Sequence, residues 1–169
     1  RIVQQLSDSL IDEIRAQRIL TAAKNNELEI EPAAIESIGL LEEVVQAYEH
    51  YDIARDKKLL IDPEAESVEF RCDRTLIRRV ISNLVKNALE AEPAGSTITL
   101  CSFRRQGSVE FTIHNPTAMN QEVKLQIFNR SFSTNGAGRG IGTYSIKLLT
   151  ERYLGGTVEE DADALWEHA

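Results

Sequence analysis

The stretch Asn83-Leu84-Val85-Lys86-Asn87-Ala88-Leu89-Glu90-Ala91 decides the fold. It belongs to a segment, 74–91, in which apolar residues recur every three or four positions, and this period predicts a helix capped by Asp73 and ended by Pro93. At about 100° per residue, Asn83, Asn87 and Glu90 fall within a sector of about 60° beside the apolar face. The helix is therefore amphipathic and carries polar groups at the edge of a core. Its two apolar rows are Leu76, Val80, Leu84 and Ala88, and Ile77, Ile81 and Val85.

The two asparagines are unusual in the middle of a helix, because their amides compete for backbone hydrogen bonds. Amide oxygens that project from one side of a rigid helix can ligate a hard cation such as Mg²⁺, which takes its other ligands from water and phosphate. The alternative is a pair of solvated or capping asparagines without a ligand.

A glycine-rich stretch, Gly136-Ala137-Gly138-Arg139-Gly140-Ile141-Gly142, leads into a final predicted helix from about Ile141 to Leu154, which Gly155-Gly156 end. Glycines let backbone N–H groups approach an anion, and a helix N-terminus adds partial positive charge, so the pattern is typical of phosphate binding. No strand immediately precedes it, as a dinucleotide-binding fingerprint requires, and a Walker-type motif is absent. The alternative is a flexible loop that binds nothing.

Helices and strands alternate through the rest of the chain and favour an α+β or α/β two-layer sandwich. We predict a helix over 40–58, a strand over 67–72, and a short helix over 122–128. Strands 97–103 and 108–114 are predicted to pair in antiparallel fashion through a tight turn at Gln106-Gly107. An amphipathic helix precedes this domain, so we place the boundary between 1–31 and 32–169, at Pro32.

The composition is that of a soluble globular protein of 169 residues, 42% hydrophobic and 27% charged, and it excludes a disordered chain. Nineteen Lys and Arg against 27 Asp and Glu give a net charge of −8. This excludes a general affinity for nucleic acid or anionic membranes. No apolar run approaches the ~20 residues of a membrane span. Cys72 and Cys101 are too few for a disulfide framework, and we expect both to be reduced and structural.

Three segments, in order, resemble the ATP-binding catalytic domain of sensor histidine kinases, whose superfamily includes gyrase, the heat-shock chaperone ATPase and mismatch-repair ATPases. Residues 83–91 are similar to its asparagine box, 127–134 to its phenylalanine box and 138–143 to its second glycine box. The resemblance spans roughly Glu31 to Val158. It implies a Bergerat-type ATP-binding fold, a two-layer α/β (α+β) sandwich in which helices cover one face of a mixed, mainly antiparallel sheet.

The resemblance implies ATP and Mg²⁺ as cofactors, with Asn87 as the metal ligand. Asn83 stands where the hydrolysing relatives have a glutamate that activates water, and an amide cannot act as a general base. This favours transfer of the γ-phosphoryl group over hydrolysis, with Asn83 and Arg130 as catalytic residues and Lys86 as a further phosphate partner. The implied nucleotide-binding residues are Asn83, Asn87, Glu90, Asn115, Ser133, Thr134, Gly138, Arg139, Gly140, Ile141, Gly142 and Thr143.

The chain departs from the family pattern in its first glycine box. The family has an Asp and two glycines there, and the Asp accepts a hydrogen bond from the adenine amino group. Residues 114–119 contain neither, and Asn115 is the nearest substitute, with a neutral acceptor oxygen that makes a weaker bond. His114 beside it is interpreted as a structural strand residue. The acidic stretch 159–169 stands where the family has a further strand and a turn.

A phosphoacceptor histidine is not found, because none of His50, His114 and His168 lies in an HExxxP-type helix. The chain begins with Arg1 and its one methionine is Met119, so we expect a fragment of a homodimeric parent. The acceptor histidine would lie on an upstream dimerisation helix of that parent. A response-regulator receiver domain and a cytoplasmic location are also implied, with membrane anchoring of the parent left open. Alternatives are a non-catalytic nucleotide-sensing or interaction module, a hydrolysing ATPase of the same superfamily, and a serine kinase.

Overall fold

The computed structural model describes residues 11, 14–15, 17–117 and 141–159, the last range with its side chains from residue 144 onward. The chain divides into two compact units, Arg1–Ile30 and Glu31–Ala169. Within the described ranges, no helix is both long enough and apolar enough to cross a membrane.

The first unit contains helix α1, whose described part ends at residue 24. The backbone N–H of Glu27 donates to the Ala22 carbonyl at 2.9 Å, and Asn26 has a φ of +60°. This is the hydrogen bond of a Schellman motif, in which Asn replaces the usual glycine at the left-handed position. The predicted helix end near Asn25-Asn26 is therefore confirmed.

The second unit has two sheets in its described part. Strand β1 (Pro32–Glu36) pairs in antiparallel fashion with β3 (Glu69–Asp73). The other sheet has the order β2-β4-β5, formed by Lys58–Ile61, Thr97–Arg105 and Ser108–His114. Strand β2 is parallel to β4, and β4 is antiparallel to β5, so this sheet is mixed.

A tight turn joins β4 to β5, as predicted. Arg105 pairs with Ser108 at its base, and Gln106 and Gly107 between them have φ values of +48° and +85°. Two consecutive positive φ angles are those of a type I′ turn, whose twist matches that of the flanking strands. The hairpin is therefore set by its local sequence.

Helix α2 (Ser37–Tyr48) is shorter than predicted. The side chain of Glu36 caps it by accepting hydrogen bonds from the backbone N–H groups of Ile38 and Gly39. After Tyr48 the chain forms a short 3₁₀ turn and then β2, so the prediction of one helix to residue 58 was wrong in its second half. A strand of four residues is too short for its alternation to stand out from a helical period.

Helix α3 (Arg74–Ala91) carries the asparagine pair and is held at both ends. The carboxylate of Asp73 accepts from the Leu76 N–H at 3.0 Å, which confirms the predicted cap. Near the other end, Lys57 Nζ donates to the Leu89 carbonyl at 2.6 Å, and a cation there is favoured by the helix dipole.

The core lies between these helices and the sheets, which confirms the predicted two-layer α/β arrangement. Along α3, Leu89 is buried and Leu84 is only half-buried, so the buried face is rotated slightly from the predicted row. The fully or nearly buried core residues are Ile35, Leu40, Leu41, Val44, Ile81, Val85, Ala88, Leu89, Ile98 and Leu100.

The last described element is helix α4 (Ile141–Leu148), which continues as a π-helical turn over Leu149–Tyr153. It ends at Gly155, where φ is +67°, and the Gly156 N–H donates to the Thr150 carbonyl at 3.0 Å. The predicted helix over 141–154 and its glycine stop are confirmed, with a last turn wider than an α-helix.

Candidate functional site

Asn83 links the middle of α3 to α4. Its side chain is half-buried, and its Nδ2 donates a hydrogen bond to Ser145 Oγ at 3.2 Å. Ser145 is itself buried, with 5% of its surface exposed. One of the two predicted asparagines is therefore engaged by the helix that follows the glycine-rich stretch. Ser145 was not predicted from the sequence, although a serine beside Ile146 on an apolar helix face was a usable signal.

Asn87 lies one turn further along α3, about 6 Å from Asn83 along the helix axis. It is half-buried, and no hydrogen bond to its carboxamide is found in the described part of the chain. An amide oxygen on a rigid helix that meets no donor among the described residues fits a Mg²⁺ ion that takes its other ligands from water and phosphate. The described residues contain no group of three or more His, Cys, Asp or Glu that could hold a metal, so they provide no all-protein cage.

The charged neighbours of the asparagines on α3 point to solvent. Lys86 and Glu90 are both exposed, and neither forms an ion pair among the described residues. Either side chain is free to meet a ligand or solvent. The structure therefore places Glu90 near the asparagines along the helix, with no fixed partner among residues 17–117 and 144–159.

Asn115 is tied to the end of α3. It follows β5 directly, is half-buried, and donates from Nδ2 to Glu92 Oε1 at 2.8 Å and to the Thr117 carbonyl at 3.2 Å. Glu92 is the C-terminal cap residue of α3 and is only 4% exposed. The same Oε1 atom accepts from the Thr117 N–H at 2.7 Å. The ends of α3 and β5 are thus joined through one carboxylate.

Glu92 is ionised in this setting. Burial of its carboxylate opposes ionisation, but hydrogen bonds from Asn115, Thr117 and Ser96 outweigh burial and lower the pKa of Glu92 below its ordinary value. Glu92 was not predicted from the sequence as a site residue. A usable signal was an acid directly after a helix, where the dipole disfavours a negative charge and some other contact must stabilise it.

The cysteines take no part in the site. Both are free, as predicted, and burial, with a smaller effect of Asp62, raises the pKa of Cys101 to about 11. Burial also raises the pKa of the Cys72 thiol. Thiols with raised pKa values are poor nucleophiles, so their structural interpretation holds. His114 is exposed at the end of β5.

The remaining predicted site residues are only partly described. Ile141, Gly142 and Thr143 form the first turn of α4 in the backbone. The predicted helix over 122–128 lies outside the described residues. So do six predicted site residues: Arg130, Ser133, Thr134, Gly138, Arg139 and Gly140. The structure therefore positions the α3 side of the predicted site together with Asn115.

Comparison with protein families gives a match that starts just before α3. A family model described as histidine kinase-, DNA gyrase B- and HSP90-like ATPase matches residues 72–164. Among curated proteins, the sensor histidine kinase CusS of Escherichia coli K12 is 27% identical over 97% of this chain, which covers 33% of CusS. The chain spans about a third of the length of the curated relatives it matches.

Histidine kinases are among the solved structures with the same fold. The catalytic domain of histidine kinase ThkA is 25% identical, with a TM-score of 0.62 over 73% of this chain and 82% of that chain. ThkA in complex with the response regulator protein TrrA is 24% identical, with a TM-score of 0.58 over 78% of this chain and 41% of that chain. Full-length ShkA in complex with AMPPNP is 17% identical, with a TM-score of 0.71 over 88% of this chain and 32% of that chain. The last two show the fold alone.

Proposed function

The chain belongs to the family of histidine kinase-, DNA gyrase B- and HSP90-like ATPases, and on this basis we propose that it binds Mg·ATP and transfers the γ-phosphoryl group to a histidine. The resemblance to the catalytic domain of sensor histidine kinases is confirmed by its sequence relatives and structural neighbours.

The observation that carries the proposal is the pair of amides on α3. Asn87 is half-buried with no hydrogen bond in the described part of the chain, so its oxygen is available to Mg²⁺. When bound, the metal would neutralise charge on the ATP phosphates. Asn83 gives an N–H to Ser145, which leaves its Oδ1 for a ligand or a water molecule.

The amide at position 83 also favours transfer over hydrolysis. A carboxylate could remove a proton from water, whereas a carboxamide oxygen is too weak a base to do so. Phosphoryl transfer depends mainly on positioning and charge neutralisation, which amides and cations supply. We propose Arg130 as a catalytic cation, with Arg139 and Lys86 as further phosphate partners. The resemblance also supports Glu90, Asn115, Ser133, Thr134, Gly138, Gly140, Ile141, Gly142 and Thr143 as nucleotide-binding residues.

The direct test is calorimetric titration of the 169-residue chain with Mg·ATP. We expect binding, and we expect Asn87→Ala to weaken it at least on the order of tenfold, because a metal ligand is lost. Asn25→Ala, at an exposed turn of the first unit, is the matched control and should bind as the wild type does. No binding by the wild type, or equal binding by Asn87→Ala, would exclude the proposed site.

Transfer is tested with γ-labelled ATP and a purified dimerisation hairpin from the parent protein. A histidine kinase labels the hairpin, and the label is lost in acid and stable in alkali. An acid-stable label on serine identifies a serine kinase instead. Steady release of phosphate without any acceptor identifies a hydrolysing ATPase, which Asn83 disfavours.

One observation favours a second candidate, a non-catalytic nucleotide-sensing or interaction module. Asn115 replaces the charged adenine acceptor of the family, and a neutral acceptor makes a weaker hydrogen bond. Such a module binds ATP but labels no acceptor under the conditions above. The labelling experiment therefore separates the two candidates.

The partners follow from the family relationship. We propose that residues 1–31 are the end of a dimerisation hairpin, that the parent is a cytoplasmic homodimer, and that the acceptor histidine lies elsewhere in it. The relative ThkA has been solved with a response regulator protein, and we propose a receiver domain as the partner here. Whether the parent is membrane-anchored does not affect this assignment.

A further inference from the structure

Asn115 is held by two groups that accept hydrogen bonds and cannot donate them. The ionised carboxylate of Glu92 and the backbone carbonyl of Thr117 each take a hydrogen bond from Nδ2, at 2.8 and 3.2 Å. Only the NH₂ side of a carboxamide can face two acceptors. Rotating the amide by half a turn would break both bonds and place Oδ1 against two oxygens.

The orientation of Asn115 therefore follows from chemistry. Its Oδ1 must lie on the side away from Glu92, and no donor to it is found in the described part of the chain. Glu92 is buried and anionic, and it also holds the Thr117 N–H, so its own carboxylate is fixed. A residue so constrained can determine which polar atom of Asn115 a ligand meets.

We propose that Glu92 is a positioning residue that presents the Asn115 oxygen, and not its NH₂, to the nucleotide base, so that the site prefers bases with an exocyclic amino group. This rests on the proposed function. Adenine carries such a donor at position 6, whereas hypoxanthine carries an oxygen there. A fixed acceptor attracts the first base and repels the second.

The test compares Mg·ATP with Mg·ITP, which share the sugar and phosphates. In the wild type we expect tighter binding of ATP. Glu92→Met has a similar length but offers no carboxylate, so Asn115 loses the nearer of its two acceptors and can rotate to present NH₂. We expect the ATP-over-ITP preference to fall about three- to tenfold, mainly through weaker ATP binding. An unchanged preference would overturn the positioning role.

Glu49→Met is the matched control. Glu49 is the C-terminal cap residue of α2, as Glu92 is of α3, but it is exposed. We expect it to leave both affinities unchanged. Asn115→Ala should remove the preference altogether. If Asn115→Ala removes it and Glu92→Met does not, the positioning role of Glu92 is excluded while the nucleotide site stands. If the wild type binds neither nucleotide, the proposed function itself fails.

A rescue experiment distinguishes a positioning role of Glu92 from a purely structural role. Asn115→Asp alone places two carboxylates together and should bind ATP poorly. Adding Glu92→Gln replaces one of these carboxylates with an amide that can donate to the other and orient it again. The double variant should therefore bind ATP more tightly than Asn115→Asp does. A double variant no better than Asn115→Asp would contradict the proposal.

Amide proton exchange in the unliganded wild type tests the fixed orientation of Asn115 even if a variant does not fold. With ¹⁵N-labelled asparagine, the two NH₂ protons of Asn115 should exchange with water more slowly than those of exposed Asn25. The reason is that Asn115 Nδ2 donates two hydrogen bonds. Equal exchange would mean that the amide rotates freely, which the proposal does not allow.

Discussion

Glu92 combines two conditions that oppose a negative charge. It is buried, and it lies at the C-terminal end of a helix, where the dipole is unfavourable to an anion. Hydrogen bonds from Asn115, Thr117 and Ser96 outweigh the effect of burial and lower the pKa of Glu92. Because those partners donate to the ionised form, the link between α3 and the end of β5 depends on the charge of one carboxylate.

The lowered pKa of Glu92 predicts that the free energy of unfolding of the domain decreases at acidic pH. A folded pKa below the ordinary value of 4.5 means that the stabilisation is complete above 4.5 and is lost as pH falls through the folded pKa. Glu92→Gln, which cannot ionise, should be less stable than the wild type by about 1 kcal/mol near neutral pH. Urea unfolding at about pH 7 and about pH 3 should show this difference shrink. A difference that stays constant would assign the effect to shape alone.

Sequence periodicity found the residues of α3 but could not find their distant partners. Asn83 and Asn87 stood out because a helical period places them locally at the edge of an apolar stripe. Ser145 lies 62 residues from Asn83, and Asn115 lies 23 residues from Glu92. Contacts over such separations are set by how elements pack, which no local pattern encodes.

At the scale of elements, the N-terminal cap of α3 is a point where local and long-range contacts coincide. Asp73 is buried, and its two oxygens accept from the Leu76 N–H at 3.0 Å and the Glu31 N–H at 2.9 Å. The cap therefore fixes the start of the helix and the segment that leads into β1.

We expect Asp73→Ala to destabilise the domain by about 1–2 kcal/mol, because the helix N-terminus loses its side-chain acceptor. Asp73→Asn keeps an acceptor for Leu76 and should cost clearly less. Chemical denaturation of the two variants and the wild type gives the comparison. Equal losses in both variants would show that the contact with Glu31, and not the helix cap, is what stabilises the domain.

The elements that the sequence predicted well are those with local signals. Helix α3 has a cap and a long period, and the β4-β5 hairpin has its Gln106-Gly107 turn. Strands β1 and β2 were missed, because they have only 5 and 4 residues and pair with partners far along the chain. Pro32 was interpreted as a boundary, yet it begins β1, a position that a strand tolerates for proline.

At the scale of the whole molecule, the net charge of −8 works against an anionic ligand. Free ATP is repelled by such a field at low ionic strength, whereas Mg·ATP carries less negative charge and is repelled less. Asn83 and Asn87, the two α3 residues proposed to meet the metal and its ligands, are neutral amides and add no further repulsion. If Mg²⁺ binds as proposed, it would therefore have two roles, one in overcoming the long-range field and one in local contacts.

The two roles of the metal have different salt dependences, and this yields a prediction. Removing Mg²⁺ with EDTA should weaken ATP binding at any ionic strength, because the Asn87 contact is lost. The loss should be several-fold greater at about 10 mM salt than at about 150 mM, since the screening length falls from about 30 Å to about 8 Å. Titrations with and without EDTA at both salt concentrations measure the difference. An EDTA effect that is the same in both would confine the role of Mg²⁺ to local contacts, and no EDTA effect would remove Asn87 as a metal ligand.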